Sequence, residues 1–565
     1  MVPYKLKDDV DLRFPRRSRQ QTLDAIEDYK RGHRGTIKAL GIREIKYPFW
    51  ATMPYTDIFA AMAPDLLHQL DKGVFGEYLV DWGQHILGEG EFDRRLKGMP
   101  RFQGMRHFNN GIEPIPDNQW TGNEAKALGR VYLPLVAGSR YSDFTRASRA
   151  IVDFQIRARL PEATDADISD AKNDLRVFHA TKRVFIDSGA RDSALGFAGL
   201  TKLHMLEHYF EWIRRMGTLD GYTTDISERL HIDCVKNPWR STNHVNATEQ
   251  MTTRLQRTEI WAIACARMYE AGRLPESLRG DYELRSQVEY LPRSNGDIEP
   301  EDDVEVEGIV VGNAGTWTPG QIWHPAPTIY LAKTPRKVSG TYLADVHGAI
   351  GIVQATRDFL VALNPANRRV PLDGNSNFRV WTRLRLHHHR LPFLQSLPPR
   401  IDRIRAFPSE HDKYDQLVRQ GYMDTVLYLA DPQRRGLRRY RAGRVLAIFR
   451  LPRHLSTIYD GPLVYLETFK PFSMPVNYPN HRLCATSPEI ANGTRVGIVV
   501  PLTKVRAACH LVPQFHRMGD AADPQPLTSA DDLLSTAKHF YLSRHNSDFM
   551  FALLDHWRRA EVESA

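Results

Sequence analysis

The chain has 565 residues, of which 42% are hydrophobic and 25% charged, and its formal net charge is +9. This length suffices for two to four globular domains with buried cores. The four cysteines form no CxxC pair, which argues against a disulfide framework or a cysteine zinc site. No apolar run of about 18 residues occurs and the start of the chain is charged, so we expect an intracellular protein without a membrane span.

A helical period runs through the first half of the sequence. After Pro64, apolar residues recur every three to four positions as far as Ile86, and Gly73 is where this helix could break. The same spacing returns at 203–213 and at 255–268, and Gly272 then fits a helix terminator. We therefore predict a mostly helical region over residues 1–275.

The composition changes at an acidic stretch rich in Pro, Gly and Asn, which predicts a linker over residues 276–310. Beyond it, the runs at 444–451, 463–469 and 496–500 are rich in branched and aromatic residues, as strands are. Helical patterns at 355–363 and 530–540 make residues 311–565 an α+β region with a small antiparallel sheet and a hairpin over 425–451. The predicted fold class is thus mixed α and β.

Most of the positive charge lies in one block. Residues 368–453 contain 19 Arg and Lys against 7 Asp and Glu. The predicted hairpin carries the densest group, which is Arg434, Arg435, Arg438, Arg439, Arg441 and Arg444. Arginines suit bidentate contact with DNA phosphates. A solvated basic hairpin explains the cluster equally well, because charge density alone does not distinguish DNA from another polyanion.

Common nucleotide and hydrolase motifs are absent, since the sequence contains no GxxxxGK[ST], GxSxG or GxGxxG. His204, Glu207 and His208 fit HxxEH, which on a helix would place two imidazoles beside a carboxylate, as in a zinc metallopeptidase. This pattern specifies three positions, and a chain with 22 histidines meets it easily by chance. The histidines at 387–389 would alternate between the two faces of a strand, which argues against a single metal site.

Two carboxylates lie at predicted helix starts. Asp65 follows Pro64, and His68 comes one turn later. Glu228 and His231 repeat this spacing, with Asp220 or Asp225 available as a cap. From the residues alone, helix capping explains these acids at least as well as catalysis does.

Six segments in fixed order carry a family resemblance: APDLLHQLDKGVF (63–75), GEFDRRLKGMP (90–100), RHFNNGIE (106–113), QWTGNE (119–124), TKLHMLEHY (201–209) and DGYTTDISERLHIDCVKNPWRSTN (220–243). Together they resemble Plavaka transposases, fungal members of the Kyakuja-Dileera-Zisupton group. GRVLAIFRLP (443–452) and IVVPLTKVRAACHLVPQF (498–515) resemble the carboxy-terminal region of the same family. The resemblance therefore extends over most of the chain.

This resemblance implies a DDE-type nuclease with an RNase H-like core, interrupted by a helical insertion between its second and third acids. Three carboxylates of such a site hold two divalent metals, Mg²⁺ or Mn²⁺, for phosphodiester cleavage and strand transfer. Asp65 matches the second acid and Glu228 the third, so both are expected catalytic residues and metal ligands. His68 and His231 would orient the acids or touch phosphate, and Arg229 would contact DNA. The family also implies DNA as partner and a nuclear location.

The departures from the family pattern limit what we expect of this chain. The first acid of the family lies upstream of the segment where this sequence opens, and Asp8, Asp9 and Asp11 follow no apolar strand. Ser227 stands where proline is usual, and Asp71 stands in place of a histidine. We therefore expect an amino-terminally truncated product of low or no activity. The alternative is a non-catalytic DNA-binding or interaction protein derived from a transposon.

Overall fold

The computed structural model describes residues 18–61, 63–112, 120–197, 200–275, 306–310, 317–332, 334–414, 416–475, 478–519, 525–528 and 530–563. Helices occupy the described chain as far as Glu270, and antiparallel sheets with further helices follow from Val306 onward. This arrangement confirms the predicted mixed α and β class. Most of the predicted 276–310 linker lies outside the described residues, as do Asp8, Asp9 and Asp11.

The first half folds into many short and medium helices. Its α-helices are Arg19–Lys30, Gly35–Ala39, Ile58–Ala61, Asp81–Leu87, Glu89–Lys97, Gly122–Val136, Ser142–Ala158, Asp165–Thr181, Val184–Asp187, Thr201–Met205, Tyr209–Met216, Asp225–His231, Asn237–Arg240 and Ala247–Glu270. The wider π-helical turns are Leu66–Val80 and Ile232–Lys236, and 3₁₀ turns occur at Phe49–Thr52, Leu206–His208 and Leu219–Tyr222.

Gly272 and Gly73, which the sequence predicted as a helix terminator and a helix break, have different roles in the structure. Gly272 follows the Ala247–Glu270 helix with a φ of +66°, which confirms it as a terminator. The break expected at Gly73 is wrong, because Leu66–Val80 continues through it as one helix. Gly73 instead provides clearance: a Cβ there would lie 2.4 Å from Cδ of Lys202 on a neighbouring helix.

The second half contains 19 short strands in the described residues. They are β1 Val306–Val310, β2 Thr328–Ala332, β3 Arg336–Ser339, β4 Asn377–Trp381, β5 Arg383–His388, β6 Arg400–Phe407, β7 Glu410–His411, β8 Leu417–Arg419, β9 Tyr422–Met423, β10 Thr425–Leu429, β11 Tyr440–Arg450, β12 Leu463–Thr468, β13 Ala485–Thr486, β14 Ile490–Ala491, β15 Thr494–Arg495, β16 Gly497–Pro501, β17 Val505–Ala508, β18 His510–Pro513 and β19 Phe540–Ser543. The strands predicted from the runs at 444–451, 463–469 and 496–500 are confirmed as β11, β12 and β16.

All strand pairs are antiparallel. One sheet has the order β1-β2-β5-β6-β9, and a seven-stranded sheet has the order β16-β12-β11-β10-β17, with β4 joining β11 to β3. Smaller sheets are β13-β19-β18, β14-β15 and β7-β8. Strand β11 is central and is buried along most of its length, because it pairs with β10, β12 and β4. The β10–β11 pair confirms the hairpin predicted over 425–451.

Helices of the second half are Gly340–Asp345, Ile352–Leu363, Tyr478–His481, Leu533–Thr536 and Asp548–Glu563, and 3₁₀ turns lie at Pro365–Arg369, Gly436–Arg439, Arg453–Leu455, Leu502–Lys504 and Phe515–Arg517. The helix predicted at 355–363 is confirmed. The helix predicted at 530–540 is wrong over most of its length, since one helical turn is followed by strand β19. The apolar residue Phe540 that extended the helical pattern is a buried strand residue that packs on Phe469.

The two halves pack against each other. Phe515 and Tyr541 of the second half lie in the same hydrophobic cluster as the helices of the first half. The carboxy-terminal helix Asp548–Glu563 is also tied to those helices by ion pairs, among them Arg157 to Asp555 at 3.0 Å and Arg559 to Asp167 at 2.7 Å. Among the described helices, none combines the length and the apolar character that a membrane crossing demands.

Candidate active site

Asp65 caps the Leu66–Val80 helix. Its backbone is extended, with φ −107° and ψ 136°, and one carboxylate oxygen, Oδ2, accepts the His68 amide N–H at 2.7 Å. The side chain of Gln69 reaches back to the Asp65 amide at 3.1 Å. The capping role expected from Pro64-Asp65 is therefore present in the structure.

The same carboxylate is held by a second segment of the chain. Thr224 donates its amide to Oδ1 of Asp65 at 3.0 Å and its hydroxyl to Oδ2 at 2.9 Å. The ring nitrogen Nδ1 of His68 lies 2.9 Å from Oδ2. Burial raises the pKa of Asp65, but the hydrogen bonds from Thr224 and His68 outweigh it and lower the pKa below its ordinary value. Asp65 is therefore a carboxylate at neutral pH.

Glu228 lies on the Asp225–His231 helix and faces solvent, with 56% of its side chain exposed. Its Oε1 is 3.6 Å from Nε2 of His68, whose opposite ring nitrogen contacts Asp65. One imidazole ring thus lies between the two carboxylates that the sequence predicted as catalytic. The structure brings together residues that are far apart in the chain.

Ion pairs attach the Glu228 helix to the helical body. Asp225 in its first turn lies 2.7 Å from Nζ of Lys126 and 3.2 Å from Nη1 of Arg159. Burial raises the pKa of Asp225, and the two cations more than reverse this, so the pKa is lowered. Arg159 also pairs with the buried Asp71, the residue that departs from the family pattern. Asp71 therefore serves as an internal counter-ion.

The family-like segments converge on this site. Gly122 of QWTGNE leaves room for Leu67, since a Cβ there would lie 2.3 Å from Cδ1 of Leu67 and 3.7 Å from Oδ1 of Asp225. Tyr209, the last residue of TKLHMLEHY, donates its hydroxyl to the Asp65 carbonyl at 2.7 Å. The segments at 63–75, 201–209 and 220–243 and the described residues 120–124 are thus in contact around the Asp65–Glu228 pair.

Sequence reasoning placed some residues at the site that have no contact there. Arg229 and His231 are exposed, and no contact among the described residues joins them to either acid. The sequence did not indicate that Thr224 and Tyr209 contact Asp65, or that Lys126 pairs with Asp225 and so attaches the Glu228 helix to the helical body. A signal existed for the first two, since both lie inside the family-like segments. Lys126 lies two residues beyond such a segment and carried no signal.

The donor atoms present fit a hard divalent cation in kind, because Mg²⁺ and Mn²⁺ prefer carboxylate oxygens. Oδ1 of Asp65 accepts one hydrogen bond and so retains a lone pair, and the Glu228 carboxylate is open to solvent. In the part of the chain that the structure describes, no three His, Cys, Asp or Glu side chains are grouped as a metal site.

The HxxEH segment does not keep a single helical register. It begins in the Thr201–Met205 helix and continues as the 3₁₀ turn Leu206–His208. The Nε2 atoms of His204 and His208 lie 3.3 Å apart, but the Glu207 carboxylate contacts His179 at 3.1 Å. Burial, and then the neighbouring His208, lowers the pKa of His204. The carboxylate of the motif is thus paired with a histidine outside it.

The histidines at 387–389 alternate as a strand requires. His388 is buried with Nε2 2.9 Å from Oδ2 of Asp402, His389 is exposed, and His387 packs on the Tyr330 ring at 4.3 Å. Their side chains do not converge on one point.

The six arginines of the basic hairpin divide into two groups. Arg434, Arg435 and Arg438 are exposed in the β10–β11 connection, where Arg434 lies 3.5 Å from Asp431. The others are held within the fold. Arg439 is half-buried, Arg441 pairs with Glu489, and Arg444 is buried and contacts Asp532 at 2.7 Å.

The family model of Plavaka transposases matches residues 1–83, a part that contains Asp65 and His68 but not Glu228. No curated protein and no solved structure matches the chain. The match includes one of the six ordered segments, APDLLHQLDKGVF at 63–75, and it supports a transposase-derived origin for that part of the chain.

Proposed function

We propose that this protein processes DNA and that Asp65 and Glu228 are two carboxylate ligands of a DDE-type divalent-metal site. The observation that carries the proposal is the His68 ring, which contacts both acids at 2.9 and 3.6 Å. Capping alone would explain Asp65. It does not explain why an exposed glutamate from a distant segment points at the same imidazole.

In such a site a bound Mg²⁺ or Mn²⁺ would stabilise the charge on the attacking and leaving oxygens of the phosphodiester. The residues of this chain supply the ligands. Thr224 keeps Asp65 ionised and fixed, and the ion pairs of Asp225 place the helix that carries Glu228. His68 holds the two carboxylates in a common orientation, and the cation would take over the contacts of its ring.

The direct test is a plasmid-nicking assay with Mg²⁺ or Mn²⁺, with Mn²⁺ binding measured in parallel by calorimetry. Glu228→Gln keeps the shape of an exposed side chain, so the fold is retained while a ligand is lost. We expect nicking and Mn²⁺ affinity to fall by at least about 100-fold, because losing a residue that only orients a metal ligand already costs about 10–100-fold. Glu249→Gln, at an exposed position of the Ala247–Glu270 helix, is the matched control.

Nicking that survives in Glu228→Gln at the wild-type rate would overturn the metal-site proposal. Mn²⁺ binding that depends on Glu228 without nicking by the wild-type protein would instead favour the non-catalytic function. In that case the chain would retain part of the site as a binding device.

A DNA-binding function is the second candidate. It is favoured by the exposure of Arg434, Arg435 and Arg438 on one turn, in a position to contact successive phosphates. Replacing all three by alanine should weaken duplex binding and reduce the slope of log affinity against log salt by up to about 3. Replacing Arg254, Arg257 and Arg267 of the exposed Ala247–Glu270 helix makes the same charge change elsewhere. Equal effects of the two triple variants would reject the hairpin as the contact.

A further inference from the structure

A cavity of about 280 Å³ lies in the second half, away from the acid pair. Its walls come from the β10–β11 connection, the segment after β12, the Tyr478–His481 helix, strand β19 and the carboxy-terminal helix. The lining residues are Leu437, Arg438, Phe472, Ser473, Met474, Tyr478, Arg482, Cys484, Leu542, Arg544, Leu554, Trp557 and Arg558. Four of them are arginines, and none of them is acidic.

The acids that pair with these arginines lie behind the wall and are shared with other cations. Asp555 contacts Arg544 at 3.2 Å and Arg558 at 2.9 Å, but it also pairs with Arg157. Asp167, Asp170 and Asp174 pair with arginines of the same network, so six guanidinium groups share five carboxylates in the described chain. Arg438 at the cavity adds a seventh guanidinium group, which leaves a local excess of positive charge. Since charges inside a protein are weakly screened, this surplus of guanidinium groups attracts an anion to the cavity.

Asp153 repeats the pattern for Arg482 and Arg544. Arg482 lies 3.4 Å from Oδ2 of this buried acid, and Arg149 lies 3.1 Å from the same oxygen. Arg544 is also within 3.9 Å of it. One carboxylate thus serves three guanidinium groups, two of which line the cavity.

Two of the cavity arginines have N–H donors that no contact among the described residues uses. Arg544 is almost fully buried, yet its Nε–H has no hydrogen-bond partner among the described residues. Arg438 is exposed at the rim, and no ion pair within the described chain engages its guanidinium. A buried donor without an acceptor is destabilising, and a ligand oxygen would supply the missing acceptor.

Most of the remaining wall is apolar. Its apolar residues are Leu437, Phe472, Met474, Leu542, Leu554 and Trp557. The volume of the cavity, about 280 Å³, is close to the lower limit for small-molecule sites. We propose that this cavity binds a phosphate monoester whose organic part is the size of one nucleoside. The phosphate would lie against Arg438, Arg482 and Arg544, and the base against Phe472 and Met474.

The test is calorimetry on the full chain with dAMP, deoxyadenosine and inorganic phosphate as probes. We expect dAMP to bind, phosphate to bind more weakly and deoxyadenosine not to bind measurably. Arg438→Ala should weaken dAMP about tenfold, as expected for loss of a charge-assisted hydrogen bond. Arg435→Ala removes the same charge from the same exposed turn outside the cavity and should change the affinity by less than about twofold.

A second variant places a negative charge at the rim. Met474 is 51% exposed, so Met474→Glu should fold normally and weaken dAMP by about tenfold, whereas Ile490→Glu, exposed outside the cavity, should not. No binding of dAMP or phosphate at millimolar concentration would overturn the proposal. Equal losses in Arg438→Ala and Arg435→Ala, or deoxyadenosine binding as tightly as dAMP, would also overturn it.

A 5′-phosphorylated oligonucleotide distinguishes the two sources of such a phosphate. If it competes with dAMP and its 5′-hydroxyl counterpart does not, the cavity accepts the end of a DNA strand. If neither competes with bound dAMP, the cavity takes a free nucleotide, and the phosphate proposal also holds. Glu228→Gln should leave dAMP affinity unchanged, so failure of this proposal and failure of the metal site are separable.

Discussion

The two acid-bearing segments are held in opposite ways. The Leu66–Val80 helix that follows Asp65 has ten buried residues, whereas the Asp225–His231 helix and the Ile232–Lys236 turn have none in the described fold. In the long helix Ala247–Glu270, which continues the second segment, the buried residue is Ala247. One side of the site is thus fixed by hydrophobic packing, and the other is positioned by a few polar contacts at Thr224 and Asp225.

This difference means that fold stability and site geometry can be perturbed separately. Changes in the packed segment should unfold the protein, and changes in the polar tether should move Glu228 while leaving the body intact. The exposed segment also carries large apolar side chains such as Leu230 and Trp261, so apolar character alone does not bury a residue here.

The largest expected effect comes from a matched pair of leucines. Leu70 is fully buried, so Leu70→Ala should lower the free energy of unfolding by about 2–5 kcal/mol. Leu230 is 48% exposed, and Leu230→Ala should change it by less than about 0.5 kcal/mol. Urea unfolding followed by circular dichroism measures both. Equal losses would show that the second segment is packed as tightly as the first.

The second largest effect should be a loss of folding stability at low pH, caused by the buried His510. Burial lowers the pKa of His510 to about 4, and its Nε2 donates to the Pro100 carbonyl at 2.9 Å. Between pH 6.5 and 4 the unfolded imidazole binds a proton that the folded one does not, so stability falls as pH falls. His510 alone should contribute about 2 kcal/mol of loss between pH 7 and 5.

The check is the difference in unfolding free energy between pH 7 and pH 5 for wild type and His510→Gln. Glutamine keeps a donor for Pro100 but does not titrate, so the variant should lose less stability on acidification. Each protein is compared with itself at the two pH values, so a difference in overall stability between wild type and variant does not affect the result. An identical loss in both proteins would contradict the assignment.

Breaking the ion pairs of Asp225 with Lys126 and Arg159 should change hydrogen exchange only in the segment that carries Glu228. Asp225→Asn removes the charge that holds Lys126 and Arg159, so the amides of residues 226–240 should exchange hydrogen about tenfold faster. Exchange in the Leu66–Val80 helix should not change. Asp233→Asn makes the same substitution at an exposed position of the segment and is the control. Faster exchange in both segments would indicate that the tether also supports the core.

The smallest effect concerns Asp65 itself. Thr224→Val removes the hydroxyl that donates to Asp65, so the pKa of Asp65 should rise toward its ordinary value. Because that pKa is lowered in the folded protein, Asp65 contributes stability that is lost as pH falls through it. In the variant this loss should begin at higher pH. An NMR titration of the Asp65 carboxyl measures the shift, with Thr252→Val as control, and an unchanged pKa would reject the role of the hydroxyl.

The sequence predicted features that depend on neighbours along the chain. Asp65 was expected to cap a helix because it follows Pro64 at a predicted helix start, and a strand was expected at 444–451 because that run is rich in branched and aromatic residues. The family-like segments also predicted that Asp65 and Glu228 belong to one site. In each case the information lies in local pattern or in the order of motifs.

The features that were missed depend on contacts between distant residues. Nothing in the 441–444 sequence shows that Arg441 would pair with Glu489 or that Arg444 would pair with Asp532. The same holds for Asp225, whose partners lie in two other helices. The helix predicted at 530–540 is limited to Leu533–Thr536, and Phe540 at its predicted end belongs to strand β19, which pairs with β18 and β13.

The capping role of Asp65 has a consequence for which acid relatives of this chain should keep. An aspartate that caps a buried helix contributes to folding, so selection for stability retains it whatever the protein does. Glu228 lies on a helix without buried residues, so under the proposed metal-site function selection for metal binding is what would retain it. Under that proposal, Glu228 should be the first of the two acids to vary in relatives that have lost the metal site.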